Sequence, residues 1–286
     1  MGEESKNNEF EFLKSLTAEL STGELLFPTS LTATLKIRRA LGDPNASIDK
    51  VARIISTEPV LSAQILRLAN SVAYNSGNVH TSDLRTAAIR LGFEMARNVA
   101  IAVGMKQLVQ TKSTTDAPEL IQGLWTRSIR VAALSFVMAR KLTRLNPDSA
   151  MIAGLLHDIG KFYILNRAST FGNAFANQQS MWDMVDCWHL SIGAEVLEKW
   201  EVADEIRMAV LEHRDLERTH PGGPDLTDVV MAADIVDAHS HLDRVPLADW
   251  TMLPPGLALL ELDQQSATDL LEEVKDELEL IFQALA

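Results

Sequence analysis

Apolar residues recur every three or four positions along almost the whole chain, and the two-residue alternation of a half-buried strand is nearly absent. That spacing dictates helices packed through aliphatic faces and leaves little room for a sheet. Phe10, Leu13, Leu16 and Leu20 make a first stripe that ends near Gly23. Leu25, Leu26, Phe27 and Pro28 lead to a helix capped by Thr29 or Ser30 and stopped after Leu41 by Gly42-Asp43-Pro44-Asn45. Ser47 caps Ile48–Ile55, and Pro59 opens a helix carrying Val60, Leu61, Ile65, Leu66, Leu68 and Ala69. Asn75-Ser76-Gly77-Asn78 ends it, with Asn70 and Tyr74 closing the helix end. Ser82 caps residues 84–91, and Gly92 separates these from 93–109, where Met95, Val99, Ile101, Val103 and Met105 are core.

Residues 111–118, TKSTTDAP, read as a linker. Beyond it a long helix runs over Pro118–Leu142, and Asn146-Pro147-Asp148 opens another through Met151, Ile152, Leu155 and Leu156. Further helices follow over 181–187, 190–200, 203–213 and 229–239, with a loop at 215–226 and breaks at Pro246, Pro254, Pro255 and Gly256. A last helix, 266–285, sets Leu270, Leu271, Val274, Leu278, Ile281 and Phe282 against an acidic side. The expected fold is all-α, with an N-terminal helical part, 1–114, packed on a second helical part, 115–286.

Charge narrows the function classes. The 286 residues carry 26 Lys+Arg against 39 Asp+Glu, a net of −13. From Cys187 onward there are 6 basic and 22 acidic residues, a net of −16, against +3 for the rest. Broad nucleic-acid binding needs a basic excess and is disfavoured by this balance. Lys36, Arg38 and Arg39, with Arg85, Arg90 and Arg97, read as solvated helical faces; a surface for an acidic partner or RNA is the alternative. A single cysteine, Cys187, removes any internal disulfide framework and is expected to be an inert core thiol beside Trp188. The polar, acidic start lacks a secretory signal, and no apolar run approaches the roughly 18 residues of a membrane span, so a cytoplasmic protein with no membrane contact is expected.

The most specific local feature is Ala153-Gly154-Leu155-Leu156-His157-Asp158-Ile159-Gly160-Lys161. An adjacent His-Asp pair is costly to bury without a partner, and imidazole with carboxylate is a common metal-ligand set. The plainer reading is a helix end with Asp158 capping a turn. His189, His213 and Asp234 each follow or interrupt an apolar helical face, and each alone could equally be a cap or a satisfied core group.

GLLHDIGK, with LWTRSIRVAALSFVMARKL before it, resembles the HD superfamily of metal-dependent phosphohydrolases. IISTEPVLSAQILRLANSVAYNSG, followed by TAAIRLGFEMARNVAIAVGM, resembles the HDOD (HD-related output domain) family. The likeness spans roughly residues 25–237. It implies an all-helical bacterial protein, usually regulatory rather than catalytic. Carried over residue by residue, the first HD histidine falls on Arg127, and the doublet on His157 and Asp158. The later histidines of the related cyclic di-GMP hydrolases fall on His189 and on His213-Arg214, where the second histidine is replaced. The last carboxylate falls on Asp234. The Gly-Tyr-Pro signature is absent, its region reading Thr219-His220-Pro221-Gly222-Gly223-Pro224.

Arginine stays protonated and offers a metal no lone pair. Arg127, helped by Arg214, is therefore expected to replace the metal as counter-charge for Asp158 and Asp234, with no cofactor bound. The expected function is non-catalytic signalling or regulation through contacts with signalling proteins, with a nucleotide or phosphate as a further ligand of Arg127, His157, His213 and Arg214. The alternative is a metal-dependent phosphohydrolase acting on nucleotides or cyclic dinucleotides, with Fe, Mn or Zn on His157, Asp158, His213 and Asp234. The sequence leaves the oligomeric state open.

Overall fold

The computed structural model describes residues 2–22, 47–57, 59–71, 74–75, 77, 79–110, 118–171, 175, 177–240, 250 and 253–285. The helix expected to end at Leu41, the cluster Lys36, Arg38 and Arg39, the linker over 111–117 and the break at Pro246 lie outside the described residues. Among the described residues there are twelve helices and no strand: α1 (Gly2–Thr22), α2 (Ile48–Ile55), α3 (Pro59–Ala69), α4 (Leu84–Gln110), α5 (Pro118–Leu142), α6 (Pro147–Leu156), α7 (Ile159–Thr170), α8 (Gln178–Lys199), α9 (Asp204–Glu212), α10 (Leu226–Ser240), α11 (Pro255–Leu259) and α12 (Gln264–Leu285). The all-α expectation holds, and none of these helices is long and apolar enough to cross a membrane.

Local sequence explains most starts. The Ser47 side chain accepts from Lys50 N, and Asn146 accepts from the amides of Asp148 and Ser149 with Pro147 in the first turn. At α4 the cap is Asp83, not Ser82: its carboxylate takes the Thr86 amide at 2.7 Å. A carboxylate also suits the positive end of the helix dipole. Gly92 has φ 79 and ψ 165, a backbone shape that side chains resist, and it kinks α4 at the expected break. The two segments expected over 181–187 and 190–200 form one helix, α8. No residue between them breaks a helix, and the Val185 and Leu197 side chains are both fully buried along one continuous face.

α6 and the middle of α5, residues 128–139, are buried nearly all round and sit at the centre of the core. α6, α10 and α12 pack on α5, and α8 packs on α7 and α9. The helices α2, α3 and α4 pack on one another, with α4 reaching α6. Tyr74 does more than close a helix end: its hydroxyl donates to Asp148 at 2.7 Å, tying the α3–α4 connection to the start of α6. Asn70 bridges to Thr81 through both its amide nitrogen and oxygen. Arg90 is not a solvated residue; it donates to the carbonyls of Ala69 and Val79 and clamps that connection. Arg85 pairs with Asp49 at the surface. α1 is anchored by Glu19, which accepts from the Tyr163 hydroxyl and from the Arg167 guanidinium on α7. Within α1, Phe12, Leu16 and Leu20 are buried, whereas Phe10, expected in that stripe, is exposed.

Candidate functional site

The HD pair lies at a helix junction. His157 ends α6 and Asp158 precedes α7. Asp158 makes no capping bond to that helix, so its carboxylate is turned to other partners. Gly160 makes the junction possible: a Cβ there would fall 1.9 Å from the His189 carbonyl oxygen, so α7 lies directly against α8. This close approach carries His157, Asp158 and His189 into one buried space.

Arg127 reaches that space from α5 and is 6% exposed. One terminal nitrogen donates to Asp158 Oδ2 at 2.5 Å, and the other donates to Asp234 Oδ1 on α10. The guanidinium fork therefore bridges the two carboxylates through charge-assisted hydrogen bonds, which are stronger than neutral ones. Around this bridge lie further contacts, the Arg214–Asp234 pair expected from the sequence and others that sequence reasoning missed. Asp237, one turn after Asp234, accepts from Arg130 Nε at 2.5 Å and lies 3.9 Å from Arg127 Nε. Lys161 Nζ is 3.1 Å from Asp158 Oδ1, and Arg214 Nε is 3.2 Å from Asp234 Oδ2. Those last two are within ion-pair range but poorly aligned, so both carboxylate oxygens lack a formed hydrogen bond. The missed residues carried a readable signal, since Arg130, Lys161 and Asp237 each stand three positions after Arg127, Asp158 and Asp234.

Burial raises the free-energy cost of both carboxylates, but the basic groups outweigh it. Asp158 is held well below the usual carboxylate range by Lys161, His157 and Arg127, and Asp234 is held at about 2 by Arg127 and Arg214. Burial also opposes the charge on Arg127, yet Asp158, Asp234 and Asp237 hold it above its ordinary value.

Three histidines surround the bridge. His157, His189 and His213 each direct Nδ1 to a backbone carbonyl one turn back, those of Gly154, Val185 and Val210. Each leaves Nε2 buried without a hydrogen-bond partner. His157 Nε2 is 3.3 Å from Asp158 Oδ2, and the rings of His157 and His213 meet edge to face at 5.3 Å. Burial pushes His189 down to about 4 and His213 down to about 3. A cleft of about 330 Å3, lined by His189, His213, Arg214 and Asp234, opens beside them. All seven residues singled out from the sequence thus meet in one place. Cys187 does not belong there: it is exposed, against the expectation of a core thiol.

Ligand atoms of His157, Asp158 and His213 lie within 4.8 Å of one another, as a metal site would need. The charges do not fit one. Three carboxylates, Asp158, Asp234 and Asp237, meet four basic side chains, Arg127, Arg130, Lys161 and Arg214. No uncompensated negative charge remains, and Arg127 takes an oxygen of each carboxylate that would hold the ion.

Comparisons place these features among known proteins. The model of the HDOD domain matches residues 27–216. An uncharacterized protein of Treponema pallidum is 23% identical over 230 residues, which cover 74% of this chain and 43% of that protein; the chain thus spans less than half of that relative. A crystal structure from Shewanella amazonensis, provisionally named a metal-dependent phosphohydrolase, superposes with a TM-score of 0.77 at 24% identity, covering 98% of this chain and 100% of that one. An HDOD domain protein of unknown function from Geobacter sulfurreducens superposes with a TM-score of 0.64 at 23% identity, covering 95% and 97%. At these identities the two structures share the fold alone.

Proposed function

This chain belongs to the HDOD domain family, and from that premise we propose that it is a non-catalytic signalling or regulatory protein in which an internal arginine has taken over the charge role of a metal. One observation carries the reading: the Arg127 guanidinium spans Asp158 and Asp234, occupying their oxygens and supplying permanent positive charge between them. Metal-dependent hydrolysis needs a Lewis acid that polarises a phosphoryl oxygen or acidifies a water. A guanidinium is not a Lewis acid: it can hydrogen-bond a phosphoryl oxygen, but it has no vacant site to bind and acidify a water. The site is then a rigid junction of α5, α6, α7 and α10, and function passes through contacts with other signalling proteins. The cleft beside Arg214 is where a small anionic ligand, a phosphate or nucleotide, would enter without being cleaved.

A second reading, a metal-dependent phosphohydrolase, draws on the unpartnered Nε2 atoms and on the close set of His157, Asp158 and His213. The discriminating experiment is a hydrolysis assay on purified protein with cyclic dinucleotides and linear nucleotides, supplied in turn with Mn, Fe and Zn. The regulatory reading expects no turnover above the metal-only blank. Metal-dependent turnover that disappears in Asp158→Asn would replace it with the hydrolase reading.

A further inference from the structure

Four buried polar atoms without a formed hydrogen bond belong to the lining of one cleft of about 330 Å3, the one between α8, the end of α9 and α10. They are His189 Nε2, His213 Nε2, Asp234 Oδ2 and Arg214 Nε. Buried polar atoms are nearly always satisfied, so four on one concavity mark a place built to receive polar groups from outside the chain. What lies behind the two rings fixes their chemistry. A carbonyl only accepts, so those of Val185 at 3.0 Å and Val210 at 2.9 Å place the ring proton on Nδ1 of His189 and His213. Each Nε2 is left with a lone pair, and burial disfavours a second proton on either ring.

The two rings stand 6.3 Å apart, and with Asp234 Oδ2 they make three acceptors. Arg214 supplies the donor, exposed Asp186 adds a further carboxylate, and Leu190, Leu216 and Ile235 give apolar walls. Inorganic phosphate is negative and almost entirely acceptor, so this set opposes it. A flat ring with two neighbouring N–H donors and one acceptor on the same edge matches it. Among the common bases guanine has that edge, running from its N2 amino group through N1–H to O6. The volume lies at the low end of small-molecule pockets, about 300–1,000 Å3, which suits one base with its sugar.

We propose that this cleft binds guanine by that edge, its two N–H groups donating to His189 and His213 and its O6 accepting from Arg214. A guanine nucleoside or nucleotide then enters base first, between Leu190, Leu216 and Ile235, and leaves its sugar and any phosphate towards solvent. The proposal rests on the reading of this cleft as the ligand entrance of a non-catalytic protein, and of the two ligands named for it selects the nucleotide over the phosphate. Base-first entry keeps a phosphate away from the buried carboxylates, where a hydrolytic metal would have to act on it.

The test is isothermal titration calorimetry on the full chain, kept free of metal with a chelator, against guanosine, guanosine monophosphate, inosine, adenosine and inorganic phosphate. Guanosine has no phosphate to lose and no metal is present, so failure here is read separately from turnover in the hydrolysis assay. Guanosine should bind saturably. Inosine, which lacks only the N2 amino group, should bind at least about fivefold more weakly, and adenosine at least about tenfold. Phosphate should give no saturable heat. Guanosine monophosphate binding more tightly than guanosine identifies a nucleotide as the source, and equal or weaker binding a nucleoside; both agree with base-first entry. His189→Leu and His213→Leu each remove one lone pair and should weaken guanosine, and the one that removes the partner of the N2 amino group should bring the guanosine-to-inosine ratio near one. A merely loosened cleft would weaken both ligands alike and keep the ratio. The distant surface variant Arg85→Met should leave the affinity within twofold. Circular dichroism checks the fold of each variant, and the ligand series on the unaltered chain decides if a variant fails to fold. Absence of guanosine binding would overturn the proposal, as would equal binding of guanosine, inosine and adenosine. So would phosphate binding as tightly as guanosine monophosphate, or a guanosine-to-inosine ratio unchanged in both histidine variants.

Discussion

Replacing Arg127 by methionine keeps the unbranched stem of the side chain and removes the guanidinium head with its charge. Arg127 is almost fully buried, and Asp158 and Asp234 are 0% and 1% exposed, so water cannot take over the solvation of the two carboxylates. Breaking a buried pair by removing one partner costs about 3–5 kcal/mol, because the remaining charge is stranded. Lys161 and Arg214 keep one contact to each carboxylate, which favours the lower end, about 3 kcal/mol. In a chain of this size, that loss lowers the melting temperature on the order of 10 °C. The assay is thermal and urea unfolding beside Arg85→Met, which breaks the surface pair to Asp49, exposed by 55% and 65%. That control should cost less than about 1 kcal/mol. The pH dependence has a definite sign. Both carboxylates titrate below their ordinary value when folded, so the stability they contribute is present above pH 3.8 and is lost as pH falls towards about 2. The gap between Arg127→Met and the wild type should therefore be widest near neutrality and narrow in acid. An Arg127→Met loss no larger than that of Arg85→Met, or a gap independent of pH, would refute the reasoning.

Other consequences can be measured on the same footing. Gly160→Ala should cost several kcal/mol or prevent folding, because the added methyl meets the His189 backbone, while Gly77→Ala, with nothing nearby, should shift stability by less than about 1 kcal/mol in chemical denaturation. His189 and His213 titrate at about 4 and about 3 when folded but near 6.5 when unfolded, so the unfolded chain binds more protons below 6.5 and stability should fall with acidification by about 1.4 kcal/mol per pH unit for each ring. His189→Gln should flatten that slope by one proton; an unchanged slope would show that His189 does not contribute. Tyr74→Phe removes the donor to Asp148 and should cost about 1–2 kcal/mol in chemical denaturation; no measurable loss would show that the bond does not hold the α3–α4 connection to α6.

Much of the architecture was legible because local rules decide it. Ser47, Asn146 and Pro147 mark helix starts by capping and fixed φ, and the three- and four-residue stripes give the buried faces of α5 and α6. The errors came where tertiary packing overrides local pattern. Asp83 displaces Ser82 as a cap because a carboxylate answers the helix dipole as well as an amide. Phe10 fits the apolar stripe of α1 by spacing, but α1 turns Phe12 to the core and leaves Phe10 exposed. Cys187 is next to Trp188 in sequence, and both stand on the outer side of α8, a rotation that no neighbouring residue reveals.

The candidate site was readable for a different reason. That Arg127 stands where the resembled HD pattern has a histidine is visible only beside that pattern, and the physics of a guanidinium then specifies its partners. Arg130, Lys161 and Asp237 were not singled out because their one signal, standing one turn after Arg127, Asp158 and Asp234, gains meaning only once those three are placed in a site. Their burial follows from α5, α7 and α10 converging, and Asp237 is 1% exposed. The result is a cluster in which the basic groups exceed the carboxylates by one.

That excess makes metal content the most direct test of the central claim. Protein expressed in medium supplemented with Fe, Mn and Zn, purified without chelators, should carry only substoichiometric amounts of each by elemental analysis. One tightly bound equivalent of any of them per chain would contradict the claim that Arg127 holds the place of the metal.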